Sequence, residues 1–220
     1  MEIPQKYDPS KALQQLSDAD ATVRKAGAFW ISHTCFCEAN QWTEPWLRDK
    51  HTTDALLPLL DDEPEVAEMA INALWGITIR YRQDERVYSG AINLLKSERP
   101  NARLVSAIVA IALGGERCCD AVLSLLKDAD RHVRAEILAH LKSSCSSWSL
   151  EVKQRIRNSS LEALNDRSTD VRQGAAWLLG AVVGRKEDVS AIENVKRRPR
   201  ANSLVIDAAI YALNERLSPT

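Results

Sequence analysis

Residues 121–141 read Ala121-Val-Leu-Ser-Leu-Leu-Lys-Asp128, then Ala129-Asp-Arg-His132, then Val133-Arg134-Ala-Glu-Ile-Leu-Ala-His-Leu141. The same three-part phrase returns as Ser160-Leu-Glu-Ala-Leu-Asn-Asp166, Arg167-Ser-Thr-Asp170 and Val171-Arg172-Gln-Gly-Ala-Ala-Trp-Leu-Leu179. Near the start of the chain it runs Lys11-Ala-Leu-Gln-Gln-Leu-Ser-Asp18, Ala19-Asp-Ala-Thr22 and Val23-Arg24-Lys-Ala-Gly-Ala-Phe-Trp-Ile31. Another copy joins Ala55-Leu-Leu-Pro-Leu-Leu-Asp-Asp62 to Val66-Ala67 and on to Leu74, and weaker copies are anchored at Ala102-Arg103 and Val205-Ile206. The anchors at 23, 66, 102, 133, 171 and 205 are 43, 36, 31, 38 and 34 residues apart. A period of this size marks one supersecondary unit stacked on its neighbours.

Within each copy, Leu recurs at helical spacing, an Asp-rich turn follows, and offsets 0, +4 and +8 from the anchor are apolar or small. That is the period of a helix and not the period of two of a strand. The turn Asp residues fit helix starts, where a carboxylate accepts from free backbone N–H groups and meets the positive end of the dipole. Composition agrees: 28 Ala and 25 Leu stand against eight Gly and eight Pro in 220 residues, so good helix formers dominate and breakers are scarce. The expected fold is all-α, an α-solenoid of about six antiparallel helix pairs forming a single domain over residues 1–220. Two stretches interrupt the period. Residues 37–51 are an insertion in which Thr43-Glu44-Pro45 resembles a helix start. The polar run Ser143–Ser149 reads as a loop capping a helix that begins near Leu150.

The Asp-x-x-Val-Arg-x-x-Ala-like motif between paired helices resembles the HEAT-like repeat family of α-solenoids, over residues 9–217. The resemblance implies a ladder in which the turn Asp and the following Arg bridge neighbouring copies. It assigns that role to Arg24, Arg103, Arg134 and Arg172, with Asp18, Asp20, Asp128, Asp130, Asp166 and Asp170 as partners, all as structural ties. Ala67 and Ile206 stand where the arginine is expected.

Charge and motifs narrow the function. With 29 Lys and Arg against 30 Asp and Glu, the net charge is −1, which argues against a globally basic nucleic-acid binder. The one basic cluster, Lys196-Arg-Arg-Pro-Arg200, reads as a solvated turn. The acidic run Asp61-Asp-Glu-Pro-Glu65 with Glu68 reads as charge favouring a helix start. His33-Thr-Cys35-Phe-Cys37 and Cys118-Cys119 lack the spacing of a structural zinc site, and residues two apart on a helix diverge. No metal and no other cofactor is expected. No nucleophile elbow, phosphate loop or dinucleotide fingerprint is present, so no catalytic residue is named. Met1–Leu16 lacks the apolar core of a signal peptide, and Leu104–Gly115 is too short to span a bilayer. Five cysteines, an odd set, fit reduced thiols and a cytoplasmic protein.

The second helices of HEAT-like arrays line the concave face. At 100° per residue, offsets +6 and +9 lie opposite the core stripe. The +6 column reads Phe29, Asn72, Ile108, Ala139, Trp177 and Tyr211; the +9 column reads Ser32, Trp75, Ile111, Lys142, Gly180 and Asn214. Phe29, Asn72, Trp75, Ile108, Trp177 and Tyr211 are therefore the predicted binding residues for another protein, since aromatics anchor interfaces. The expected function is a non-enzymatic protein-binding scaffold or adaptor, toxin-neutralising immunity proteins among its variants. HEAT-like phycobilin lyases and DNA glycosylases are the enzymatic alternatives that the resemblance supplies. The oligomeric state is left open.

Overall fold

A computed structural model describes residues 9–37, 45–80 and 83–218. The described residues are helices and turns, with no strand among them. The fold is an all-α solenoid, and its contacts group into two compact units, Met1–Leu113 and Gly114–Thr220.

In the first unit, α1 (Pro9–Gln15) packs on α2 (Ala21–Cys37) and α4 (Lys50–Leu56) on α5 (Pro64–Thr78); α6 (Glu85–Leu94) and α7 (Pro100–Gly114), whose last residue opens the second unit, follow in sequence. A short extra helix, α3 (Pro45–Arg48), precedes α4. It begins at the predicted proline, while the rest of the inserted segment, residues 38–44, lies outside the described residues. The core is the packing of α2 on α5, where Ala28, Ile31, Ala70, Ile71 and Leu74 are wholly buried. Helix α7 stops where Gly115 takes a positive φ of 53°, a conformation that costs glycine little.

In the second unit, α8 (Cys119–Ser124) pairs with α9 (Arg131–Ser144), α10 (Leu150–Ala163) with α11 (Thr169–Leu178), and α12 (Val189–Val195) with α13 (Ser203–Leu217). The second helices stack in order, α9 on α11 and α11 on α13. Val133, Ile137 and Leu141, at the predicted offsets 0, +4 and +8, form the buried stripe of α9, with Leu138 buried beside them. Asp130 starts that helix by accepting from the His132 amide at 2.7 Å, and Asn202 does the same for Leu204 in α13 at 3.1 Å. The stretch 143–149 is more helical than expected. Ser143 and Ser144 belong to α9, and Cys145–Ser147 form a single 3₁₀ turn. Only the cap holds as read, with Ser149 accepting from Val152.

Candidate functional site

The ladder can be traced from the second helices outward. Arg24 forms a two-pronged pair with Asp62 of the next copy, Nε to Oδ2 at 2.6 Å and Nη2 to Oδ1 at 2.7 Å. Its Nη1 donates to the carbonyls of Asp18 and Ala19 in its own turn. Arg134 repeats the pattern on Asp166, at 2.8 and 2.9 Å, with Nη1 on the Asp128 and Ala129 carbonyls. The arginine therefore staples its own turn through main-chain oxygens and the following copy through a carboxylate.

This corrects the predicted partners. Asp62, which the motif reading passed over, is an acceptor, whereas Asp18, Asp20 and Asp130 use their carboxylates on backbone amides of their own turns. Asp128 also accepts from the Asp130 amide. Asp170 lies in the first turn of α11. A two-residue Asx bond closes these turns, and Asp166 makes one with the Ser168 amide at 2.7 Å while also accepting from Arg134. Arg103 reaches the carbonyls of Ser97 and Glu98. Arg172 binds the Asp166 and Arg167 carbonyls, but its onward contact is the Pro199 carbonyl at 2.8 Å, not a carboxylate.

The Asp166 carboxyl is pushed up by burial, but the bond from Arg134, the Ser168 amide and nearby positive charge outweigh this, so it lies below the usual range. Asp62 is likewise lowered, chiefly by Arg24. The acidic run meets basic partners in the same unit: Glu65 pairs with Lys25 and Arg99, and buried Glu68 takes Arg99 and Asn101. The basic cluster is only partly matched. Lys196 meets Asp207 and Arg198 meets Asn165.

Four of the five thiols lie in the interior, and the Cys37 side chain is outside the described residues. Cys35, Cys118, Cys119 and Cys145 are buried and free, and burial pushes Cys35 and Cys118 up to about 12 and Cys145 to about 11. A thiol so far above neutral pH is a poor nucleophile. Among the described residues, no three His, Cys, Asp or Glu side chains gather as a metal site, and no helix is long and apolar enough to cross a membrane.

The predicted binding residues divide by unit. In the first, Phe29 is 47% exposed and edge-on to Trp30, with ring centroids 5.7 Å apart. Trp75 is half-buried, its ring 5.0 Å from that of Phe36. Asn72 is half-buried and donates its side-chain amide to the Glu68 carbonyl, and Ile108 is half-buried on α7. In the second, Tyr211 is 66% exposed on α13, and the Lys142 ammonium lies 5.2 Å over the Trp177 ring. Two neighbours in the +9 column are not outward. Ile111 is buried because the buried residues of α7 extend beyond one stripe, over residues 102, 104–107 and 109–111, as in a helix that is apolar over most of its surface. Gly180 is buried because the backbone from Leu179 to Val183 makes a π turn, which shifts the phase of the helix and sets Gly180 against the Ala209 backbone.

Trp177 gains partners that the column reading missed. With Gln173 and Gly174 of α11 and Leu204, Val205 and Ala208 of α13, it lines a cleft of about 430 Å³. Leu204 is 78% exposed. Leu204, Ala208 and Tyr211 fall at i, i+4 and i+7, one stripe of α13, so the apolar surface continues past the cleft to Tyr211. Leu204 escaped because it lies one residue before the anchor. The helical spacing back from Tyr211 was the signal that could have found it.

Comparison with known proteins bears on the fold alone. No family model matches the chain, and no curated protein matches it. Among solved structures, an engineered protein aligns with a TM-score of 0.67 at 18% identity, covering 94% of this chain and 96% of its own. A second engineered protein gives 0.67 at 19% identity, covering 97% and 100%. The complex of CpcE and CpcF of phycocyanin lyase from Nostoc aligns at 0.44 and 16% identity, covering 99% and 92%, a likeness too slight to carry an argument. At these identities the similarity establishes a helical fold shared along nearly the whole chain.

Proposed function

We propose that the protein is a non-enzymatic scaffold of the HEAT-like kind that binds another protein on the second-helix face of its repeats, with the α11–α13 cleft as the anchor point. The cleft carries this reading. Large apolar side chains on a helix are ordinarily turned inward, yet Leu204 is left in water beside Trp177, and Tyr211 is left in water further along the same helix. Such a cluster on rigid helices offers a partner a pocket for an apolar side chain at little ordering cost. Lys142 over the Trp177 ring leaves a cation at the rim, where it can steer an acidic partner without contributing much affinity. Phe29 and Trp75 would extend the recognition surface on the first unit.

The test is capture from cell extract by the full chain, Trp177→Ala and Leu204→Asp, followed by titration of each with the recovered protein. Trp177→Ala should weaken binding about thirtyfold or more, equivalent to about 2 kcal/mol. Leu204→Asp should abolish retention while leaving the melting temperature nearly unchanged, since Leu204 packs on little. Equal retention by all three would remove the cleft from the reading. Growth inhibition by the captured protein when it is expressed alone would identify the toxin-neutralising variant.

A further inference from the structure

The ladder breaks at its last rung, and the break leaves a buried cation short of an anion. Arg172 is 5% exposed and its Nε is buried with no hydrogen-bond partner. In Arg24 and Arg134 that same nitrogen donates to a carboxylate of the following copy. Its neighbour Nη2, the other prong of the fork, is diverted to Thr169 Oγ1 and to the Pro199 carbonyl. The reason is legible in the turn. Asp166, which serves Arg134, stands three residues before α11 begins at Thr169; the residue three before α13 begins at Ser203 is Arg200. A cation thus occupies the position of the ladder carboxylate. Arg200 is also the one non-glycine among the described residues with a positive φ, 60°, a region rare for residues with a side chain.

The turn around it gathers more positive charge. Arg197 and Arg200 are exposed, and neither side chain has a hydrogen bond or ion pair among the described residues, whereas Lys196 and Arg198 are tied to Asp207 and Asn165. The second unit as a whole carries 17 Lys and Arg against 14 Asp and Glu. A buried guanidinium without its carboxylate is costly, and the cost is relieved when an anion arrives.

We propose that Arg172 and the turn Arg197–Arg200 form an oxyanion-binding site, in which a carboxylate or phosphate from outside the chain takes the place that Asp166 holds beside Arg134. One oxygen accepts from Arg172 Nε. A second displaces the Pro199 carbonyl from Nη2, restoring the two-pronged geometry of the other rungs. Arg197 and Arg200 supply the remaining charge at the mouth. The site is independent of the α11–α13 cleft and does not require a protein partner.

The experiment follows the Arg172 Nε–Hε resonance of the full chain by NMR while sodium phosphate or sodium acetate replaces chloride at constant ionic strength. A saturable shift in either titration is expected. Saturation with phosphate alone identifies a phosphate-type ligand, and saturation with acetate identifies a carboxylate. Arg200→Asp supplies the missing rung from within the chain, so it should melt higher than the parent and lose the anion response. Arg200→Ser, which removes the charge and leaves the turn, should bind at least threefold more weakly. An Arg172 signal unmoved by both anions would overturn the proposal, as would an identical response in Arg200→Asp or in Arg200→Ser.

Discussion

Arg134→Ala is the perturbation that most directly probes how the copies are held together. The wild-type guanidinium is 5% exposed and its partner carboxylate on Asp166 is 14% exposed, so both charges are shielded from water. Truncation deletes two charged bonds to Asp166 and two to the carbonyls of Asp128 and Ala129. It leaves the Asp166 carboxylate with the Ser168 amide alone. Breaking a shielded pair by removing one partner costs about 3–5 kcal/mol, and the orphaned carbonyls place the expected loss towards the upper part of that range. Chemical denaturation followed by helical circular dichroism measures it, with Lys127→Ala as control. The Lys127–Glu162 pair spans 3.9 Å in the open, with both side chains mostly exposed, and its loss should be immeasurable. Arg134→Lys should recover only a minor part, because an ammonium cannot reproduce the fork. If Arg134→Ala lost less than about 1 kcal/mol, or if its effect added fully to that of Asp166→Ala, the ladder would not be a tie between copies.

Two further outcomes follow from the same geometry. Asp62 and Asp166 are both held below the ordinary carboxylate range, so their stabilisation is complete above the unfolded-state value near about 3.9 and drains as pH falls towards the lower folded values; melting temperature against pH should stay level to about pH 5 and then drop, and Asp166→Asn should flatten the drop. Gly180→Ala should lower the melting temperature by the equivalent of about 1–3 kcal/mol, because a Cβ there would lie far inside contact distance of the Ala209 carbonyl; a melt equal to wild type would show that α13 yields freely at that point.

The helix pairs were legible because their signals are local. Val133, Ile137 and Leu141 recur at the helical period, and the capping residues Asp130, Ser149 and Asn202 act within two or three residues of themselves. The partners of the ladder were not legible in the same way. Asp18, Asp62 and Asp166 all sit in turns and look alike in sequence, yet Asp62 and Asp166 accept from the preceding copy's arginine while the Asp18 carboxylate serves the Asp20 amide. Asp62 stands four residues before its anchor and Asp166 five before its own, so no single offset along the chain picks out both. The outward face was legible for Phe29 and Tyr211 and misjudged at Gly180, where the π turn changes the rotation per residue. An offset column assumes an unbroken helix, and a single wide turn displaces everything beyond it.

The two places where the repeat fails lie close together in sequence, and they fail for different reasons. At Leu204 the period is intact, but an apolar residue on the α13 stripe remains in water. At Arg200 the period is intact but the chemistry is reversed, with a cation where the rung needs an acid. In a stacked array, each copy is stabilised by what its neighbour supplies. The copy around α13 supplies no acid to Arg172 and turns apolar side chains to water, so the rung and the stripe are the two positions at which the proposed anion and the proposed protein partner would each do a neighbour's work.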